Sequence, residues 1–383
     1  MRFFGIFFGM LFSASFGLHY YVIRRFCRIF EYDHTWKVFL PVFFLATVNF
    51  IGTMFAARQV WNGLVRLWWI ATVSYIGILW IAFWFLLVYA LVQFAAQFVR
   101  PIPAIASQYI VVIGLLALVS YSVYHARQIQ VKTVEIFSDK VNDPVTIVQL
   151  TDLHLGAINR ESFVERVVAQ TNALEPDLVV ITGDLLDMGA SAEMAQGLNR
   201  LEAPTFFVWG NHDQFLKPGR VEEILATTPI RILKNETVLY NDTLQIIGLD
   251  YLERQPDAEV KPILTSLSPS HEAFTLLLSH APLDFSDLGD HPIDLQLAGH
   301  THSGQIFPFE LIVRTRYPRY RGLYTQGDRT LYVSTGTGTW GPPMRLGTDS
   351  EITLIRLLPL SDKGEERYLV HQTEQSTGDI QHD

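Results

Sequence analysis

The stretch that decides the fold covers residues 145–187, VTIVQLTDLHLGAINRESFVERVVAQTNALEPDLVVITGDLLD. Two apolar runs in it, residues 146–150 and 178–182, have the length and the β-branched content of buried strands. The amphipathic segment between them, residues 161–174, predicts a helix. A polar residue follows each strand almost at once. This order of strand, helix and strand predicts an α/β architecture with sheets in its middle.

The rest of the C-terminal region continues the pattern. We predict further strands at 129–137, 205–209, 230–233, 237–240, 244–249, 274–278, 295–298, 330–333 and 352–357, and a second helix at 191–201. Five strands end in short motifs that carry Asp, His or Asn. The motifs are Asp152-Leu153-His154, Gly183-Asp184-Leu185-Leu186-Asp187, Gly210-Asn211-His212-Asp213, Ser279-His280 and Gly299-His300-Thr301-His302. The carboxyl edge of an α/β sheet is where ligands bind.

These side chains indicate a metal site. Imidazole, carboxylate and amide oxygen are ligands that suit Zn, Mn, Fe and similar ions. In an extended chain, alternation would place Asp152 and His154 on one face, so that one loop could bind one ion twice. The same spacing recurs in His300 and His302. A carboxylate shared by two ions holds them about 3.5–4 Å apart, the spacing that suits in-line displacement at phosphorus.

The ordered series D-x-H, G-D-x-x-D, G-N-H-D, S-H and G-H-x-H resembles the calcineurin-like metallophosphoesterases over residues 145–357. The G-H-T-H-S-G-Q form and the stretch Trp340-Gly341-Pro342-Pro343 look most similar to the bacterial membrane-associated phosphodiesterase subgroup. The resemblance implies a four-layer α/β sandwich, two divalent metal ions (Mn, Zn or Fe) and hydrolysis of phosphoester bonds. It implies that Asp152, His154 and His302 bind the first ion, that Asp184 bridges, and that Asn211, His280 and His300 bind the second. His212 resembles the histidine that contacts the phosphoryl or leaving oxygen, oriented by Asp187.

The N-terminal third has a different composition. Four apolar stretches, residues 3–23, 38–57, 67–94 and 105–124, contain no Lys or Arg and are about as long as a bilayer-spanning helix requires. We therefore predict a four-helix transmembrane domain at 1–126, the catalytic domain at 127–360 and a polar tail at 361–383. A cleaved signal peptide is the alternative for the first stretch, which runs into Arg24 and Arg25 without a small-residue cleavage pattern.

Charge and cysteine content narrow the function classes. The net charge of −9 makes nucleic acid an unexpected partner. Cys27 is the single cysteine, which excludes an intramolecular disulfide and a thiolate metal cluster.

The soluble part holds one cluster of arginines and tyrosines. It consists of Arg314, Arg316, Tyr317, Arg319, Tyr320, Arg321 and Tyr324. Two interpretations of this cluster remain: a solvated loop, or a surface that binds phosphate or anionic head groups.

We expect a membrane-anchored hydrolase of lipid-linked phosphodiesters or pyrophosphates. A hydrolase of soluble cyclic nucleotides or phosphomonoesters and a catalytically inactive metal-binding scaffold are the alternatives, and a transporter with a regulatory phosphoesterase domain is a third. We expect the protein in a bacterial inner membrane. Because basic residues concentrate in the first loop, at 24, 25, 28 and 37, the positive-inside rule predicts an extracytoplasmic catalytic domain.

Overall fold

The computed structural model of the protein describes residues 2–251, 259–360 and 368–372. The side chains of residues 2–8, 11, 58–59 and 369–372 are outside this description. The chain divides into two compact units. One consists of Met1–His125 with Gly341–Met344, and the other of Ala126–Trp340 with Arg345–Asp383.

The first unit is helical. Its helices are α1 (Arg2–Ile29), α2 (Thr35–Gln59), α3 (Gly63–Ala96) and α4 (Ala104–His125). Among the described residues, three helices are long and apolar enough to cross a membrane, namely Thr35–Ala57, Gly63–Ala96 and Ala104–His125. This criterion concerns length and composition only.

The prediction of four spanning helices is corrected to three. The predicted first span, residues 3–23, falls in α1, and its opening part is outside the described side chains.

Polar residues inside the helical unit make contacts between or within helices. Asn49 of α2 donates a hydrogen bond to the hydroxyl of Thr72 of α3 at 2.8 Å and accepts one from the indole of Trp68. The ring of His19 bonds to the carbonyl of Ser15 at 2.7 Å, one turn earlier in α1. Asn49 therefore makes contacts between two helices, as isolated polar residues in apolar helices commonly do.

The second unit contains two sheets. Their strands are β1 (Ile129–Ser138), β2 (Val145–Leu150), β3 (Leu178–Thr182), β4 (Thr205–Val208), β5 (Arg231–Ile232), β6 (Glu236–Tyr240), β7 (Leu244–Gly248), β8 (Phe274–Leu278), β9 (Leu295–Ala298), β10 (Gly322–Gln326), β11 (Arg329–Val333), β12 (Ser350–Pro359) and β13 (Tyr368–Gln372). The orders are β13-β1-β12-β2-β3-β4-β5 and β10-β11-β9-β8-β7-β6. β2 to β5 are parallel, and so are β7, β8, β9 and β11.

Six helices stand among the described residues of this unit. They are α5 (Glu161–Asn172), α6 (Ala192–Ala195), α7 (Asn211–Phe215), α8 (Arg220–Leu225), α9 (Val260–Leu267) and α10 (Glu310–Arg316). Apolar side chains of α5 and α8 pack on the first sheet, and Leu264 of α9 packs on the second. A third apolar cluster, which includes Val180 and Leu276, fills the space between the sheets. The order helix, sheet, sheet, helix confirms the predicted four-layer sandwich.

The predicted strands form with small differences at their ends. The predicted helix at 191–201 is the short α6 followed by a 3₁₀ turn at Gln196–Arg200. β10 and β13 were not predicted. β13 falls in the segment expected to be a polar tail and pairs antiparallel with β1, while residues 361–367 and 373–383 of that segment are outside the described residues.

Candidate dinuclear metal centre

The polar motifs meet at the carboxyl edge of both sheets. Asp152 follows β2, Asp184 follows β3 and Asn211 follows β4, all in the first sheet. His280 follows β8, while His300 and His302 follow β9 in the second. Because the strands within each set are parallel, these ends lie side by side and bring together residues distant in sequence. All seven predicted metal ligands and the two predicted catalytic residues are in this cluster.

Asp152, His154 and His302 form the first group. The Nε2 atoms of the two histidines are 3.1 Å apart, and Nε2 of His302 is 3.3 Å from Oδ1 of Asp152. All three residues are buried. The other carboxylate oxygen of Asp152 accepts hydrogen bonds from the Thr151 hydroxyl at 2.8 Å and from the His300 backbone N–H at 3.0 Å. Several donors therefore fix the orientation of this carboxylate.

Asp184, Asn211, His280 and His300 form the second group. Nε2 of His280 is 3.2 Å from Oδ2 of Asp184, 3.1 Å from Oδ1 of Asn211 and 3.0 Å from Nδ1 of His300. The opposite ring nitrogen of His280 lies 2.9 Å from the carbonyl of Thr182, an arrangement that directs Nε2 into the group. Three polar atoms thus converge on one imidazole nitrogen, as ligands of a common ion do.

Asp184 links the two groups. Its Oδ2 is 3.2 Å from His280 in the second group and 3.8 Å from Nε2 of His154 in the first. Its Oδ1 accepts the backbone N–H of His212 at 2.8 Å. The carboxylate is almost fully buried between imidazoles on both sides. This is the position that a bridging ligand requires.

The loops reach this arrangement through left-handed backbone conformations. Asp152, His154, Asp184, His300 and His302 all have positive φ, between 47° and 71°. Such angles are rare for residues with a side chain, and their clustering marks a functional site. The expectation that an extended Asp-x-His segment places both groups on one face is therefore wrong. Asp152 and His154 reach the same group through a sharply turned loop instead.

Glycine is required where these loops approach each other. A Cβ on Gly210 would lie 2.2 Å from Oδ1 of Asp184. A Cβ on Gly183, whose φ is +88°, would lie 2.3 Å from the ring of His280. Neither position has room for a side chain, so the two glycines let the backbone pass directly against the groups of the site.

Asp187 connects His212 to the first group. One carboxylate oxygen is 3.1 Å from Nδ1 of His212 and the other is 3.2 Å from Nδ1 of His154. Burial alone would raise the pKa of Asp187, but the two imidazoles hold it well below its usual range. Burial alone would lower the pKa of His212, whereas Asp187 and Asp184 raise it to about 9. The ring of His212 therefore carries a proton at neutral pH.

The site concentrates negative charge in a buried place. Burial raises the pKa of Asp152, and burial together with Asp184 raises the pKa of Asp213 to about 7. Burial alone would raise the pKa of Asp184, but His280 and the other histidines hold it well below its usual value. Buried carboxylates need pairing with cations. A set of carboxylates, imidazoles and one carboxamide fits divalent first-row ions, so the residues present suit two such ions.

Asp213, the last residue of the motif after β4, joins two loops of the site. Its two oxygens accept the backbone N–H groups of Gly210 at 2.8 Å and Leu186 at 2.9 Å. Asp213 therefore ties the loop after β4 to the loop after β3. The position of an Asp three residues after Gly210, in the first turn of α7, was the signal for the capping contact.

Arg345 was missed altogether. It is fully buried and donates from Nη2 to the carbonyls of Thr335 and Gly338 at 2.8 and 2.7 Å. The same atom lies 3.4 Å from Nδ1 of His302. The loop that it holds also donates the Gly338 backbone N–H to the carbonyl of Asp152 at 3.1 Å. No motif in a single sequence identifies an arginine 43 residues away as a neighbour of His302.

Several members of the arginine and tyrosine cluster pair with acidic residues or with each other. Arg319 pairs with Asp284, and Arg321 lies 3.8 Å from Glu310. The guanidinium of Arg316 lies over the ring of Tyr317, whose centroid is 5.2 Å from that of His300. One end of the cluster therefore lies next to the second group.

Comparison with known proteins gives consistent similarities. A family model described as calcineurin-like phosphoesterase matches residues 145–304. An uncharacterised metallophosphoesterase of Helicobacter pylori is 37% identical over 240 residues, which cover 60% of this chain and 64% of the relative. One of Bacillus subtilis is 33% identical over 231 residues, covering 56% and 79%. A bovine transmembrane protein with metallophosphoesterase domain is 36% identical over 234 residues, covering 55% and 52%. The chain thus spans less than two thirds of the Helicobacter and bovine relatives.

Proposed function

This chain belongs to the calcineurin-like metallophosphoesterases, and on that basis we propose that it is a membrane-anchored hydrolase of phosphodiesters or pyrophosphates that uses two divalent metal ions. The position of Asp184 carries the proposal. Its carboxylate lies between His280 at 3.2 Å and His154 at 3.8 Å, so it joins the two ligand groups. A shared carboxylate is the defining feature of a two-metal hydrolytic site.

The proposed ligands follow the two groups. Those of the first ion are Asp152, His154 and His302, those of the second are Asn211, His280 and His300, and Asp184 is shared. Zn, Mn and Fe suit this donor set, and their availability decides among them. Two ions bound there would supply an activated hydroxide and offset charge on the phosphoryl oxygens.

His212 is the proposed proton donor. Asp187 and Asp184 raise the pKa of the ring and so favour its protonated form, and Asp187 lies 3.1 Å from Nδ1 and orients the ring. The opposite nitrogen, Nε2, is then the atom that donates a proton to a leaving oxygen or a hydrogen bond to a phosphoryl oxygen. Asp187 acts as the orienting group because it holds the tautomer and the plane of the imidazole.

Lipid-linked substrates are the proposed class because the helical unit holds the protein at a bilayer. Tethering raises the local concentration of substrates confined to the same membrane. We propose a bacterial inner membrane as the location, with the catalytic unit on the extracytoplasmic side. Positive charge concentrates around the connection between α1 and α2, with Arg24, Arg25 and Arg28 near the end of α1 and Lys37 near the start of α2. A nucleic-acid substrate is not proposed, given the net charge of −9.

A metal-by-substrate screen tests the function. Full-length protein in lipid nanodiscs would be stripped of metal, reloaded with Zn, Mn or Fe, and assayed with nitrophenyl phosphodiester, nitrophenyl phosphomonoester and a lipid pyrophosphate. We expect hydrolysis of the diester or the pyrophosphate, lost together with bound metal in Asp184→Asn. The exposed Asp290 supplies the matched control, Asp290→Asn, which should keep both.

Three outcomes would redirect the proposal. Wild-type protein that binds metal and cleaves none of the substrates would indicate the metal-binding scaffold instead. Cleavage confined to soluble cyclic nucleotides or monoesters would remove the lipid-linked class while leaving the metal chemistry in place. An Asp184→Asn variant that retained two ions and near-normal turnover would overturn the bridging assignment.

A further inference from the structure

We propose that Phe215 and Trp340 form a subsite that binds an apolar leaving group of the phosphoester, a proposal that rests on the hydrolase function proposed above. Both rings border the imidazole of His212. Their centroids lie 5.3 Å (Phe215) and 5.9 Å (Trp340) from the centroid of His212, with interplanar angles of 80° and 71°. Both rings therefore lie beside the proposed proton donor.

The two rings are unusually exposed for aromatic side chains of a packed domain. Phe215 is 61% and Trp340 is 49% exposed. Aromatic rings carry large apolar surfaces that normally enter a core, and an exposed pair beside a polar site is the usual lining of a ligand pocket. Leu239, on β6, is exposed to a similar extent at 56% and is not among the side chains that contact the site.

The side chain of Gln305 holds the backbone of Trp340 in place. Both polar atoms of the Gln305 side chain bond to the Trp340 backbone, one donating to its carbonyl and one accepting its N–H, each at 2.9 Å. Gln305 is buried, has a positive φ of 54° and follows His302 by three residues. Its carbonyl accepts the Thr348 hydroxyl at 2.9 Å. The backbone of Trp340 is thus fixed to the loop that carries a proposed metal ligand, which limits the positions its side chain can take.

Proximity to His212 decides which part of the substrate the rings contact. In hydrolysis, water oxygen forms a bond to phosphorus as the bond from phosphorus to the leaving oxygen breaks. The proton of His212 moves to that leaving oxygen, and the proton that water gives up restores His212. The group attached to the leaving oxygen must therefore pass beside His212, where Phe215 and Trp340 lie. The group that stays on phosphorus has no such requirement.

Competition within one substrate tests this directly. Phenyl 4-butylphenyl phosphate can lose either of two phenols of nearly equal acidity, and only their apolar areas differ. Burial of the butyl carbons against the two rings should favour release of 4-butylphenol over phenol by roughly tenfold or more. The ratio of the two phenols, read by chromatography, is independent of the amount of folded or metal-loaded enzyme in the nanodiscs.

Variants separate the rings from the rest of the surface. Trp340→Ala and Phe215→Ala should each move the product ratio toward one, and Trp340→Phe should restore part of the preference. Leu239→Ala, which removes an equally exposed apolar side chain elsewhere, should leave the ratio unchanged.

The proposal is overturned by a wild-type ratio near one, by an excess of phenol, or by a preference that survives in both alanine variants. Failure to cleave any substrate would count against the hydrolase function itself.

Discussion

Substitution of Asp187 should reveal two separate roles of this residue, one at His212 and one at His154. Its two oxygens serve different partners, His212 at 3.1 Å and His154 at 3.2 Å. In Asp187→Asn a single oxygen remains that can accept a hydrogen bond, so at most one of the two imidazoles keeps its partner. In Asp187→Ala both partners are lost.

The size of each effect follows from the two contacts. A hydrogen bond to a charged group contributes about 1.5–3 kcal/mol, which corresponds to roughly a 10–100-fold change. Loss at His154 should weaken binding of the first metal ion by that factor, the range typical of a carboxylate that supports a ligating histidine. Loss at His212 should lower turnover at saturating metal by a similar factor. Asp187→Ala should show both losses, and Asp187→Asn a smaller loss in at least one.

The assay is a metal titration followed by nitrophenyl phosphodiester turnover, on full-length protein in nanodiscs. Asp290→Asn serves again as the control for a change of charge at the surface. Turnover fully restored by excess metal in Asp187→Ala would show that Asp187 does not act on His212. Wild-type metal affinity in the same variant would refute the contact with His154.

The remaining predictions concern single contacts. His212→Ala should keep both metals but lose roughly 10²–10⁴-fold in rate, with smaller losses for good leaving groups; equal losses across a leaving-group series would assign it to phosphoryl charge stabilisation only. Gly210→Ala should displace Asp184 and lower both metal content and melting temperature, because its Cβ would lie 2.2 Å from that carboxylate and 2.5 Å from the backbone N of Asp184. Lys132→Met should destabilise the fold by about 3–5 kcal/mol, since it removes the partner of the buried Glu351, 2.6 Å away, and Lys132→Met with Glu351→Leu should recover most of it on thermal melting. Burial alone would raise the pKa of Glu351, but Lys132 and hydrogen bonds hold it below its usual value, so the stabilisation is present above the unfolded pKa and is lost as pH falls through the folded one. A C-terminal phosphatase reporter should be active outside the cytoplasm; activity only inside would reverse the proposed orientation.

The ligand cluster could be predicted because its residues carry the signal themselves. Asp152, Asp184 and His280 each follow an apolar run that reads as a buried strand, and parallel strands bring such ends together. Their backbone conformation could not be predicted in this way. Alternation along an extended chain was the wrong basis for Asp152 and His154, because both residues have left-handed backbone conformations.

Contacts between distant segments could not be predicted from a single sequence. Arg345 reaches His302 and Gln305 reaches Trp340, across 43 and 35 residues, through side chains that follow no periodic pattern. β13 was not foreseen because its five residues stand within a segment, 361–383, that is polar as a whole; in the structure it pairs with β1. Among the described residues, three helices rather than the predicted four have the length and composition of a membrane span, and the opening part of the first predicted span is outside the described side chains.

The pairing of β1 with β12 affects how the protein is made. Ile129 pairs with Ser350, about 220 residues later in the chain, so the ladder on that side of β1 cannot form until most of the catalytic unit has been synthesised. At about 5–20 residues per second, β1 waits roughly 10–40 s with its edge unpaired beside the emerging chain. Unpaired strand edges are templates for aggregation. Biogenesis of this protein should therefore depend on a chaperone that shields the nascent segment, and slower translation should lower the yield of folded enzyme.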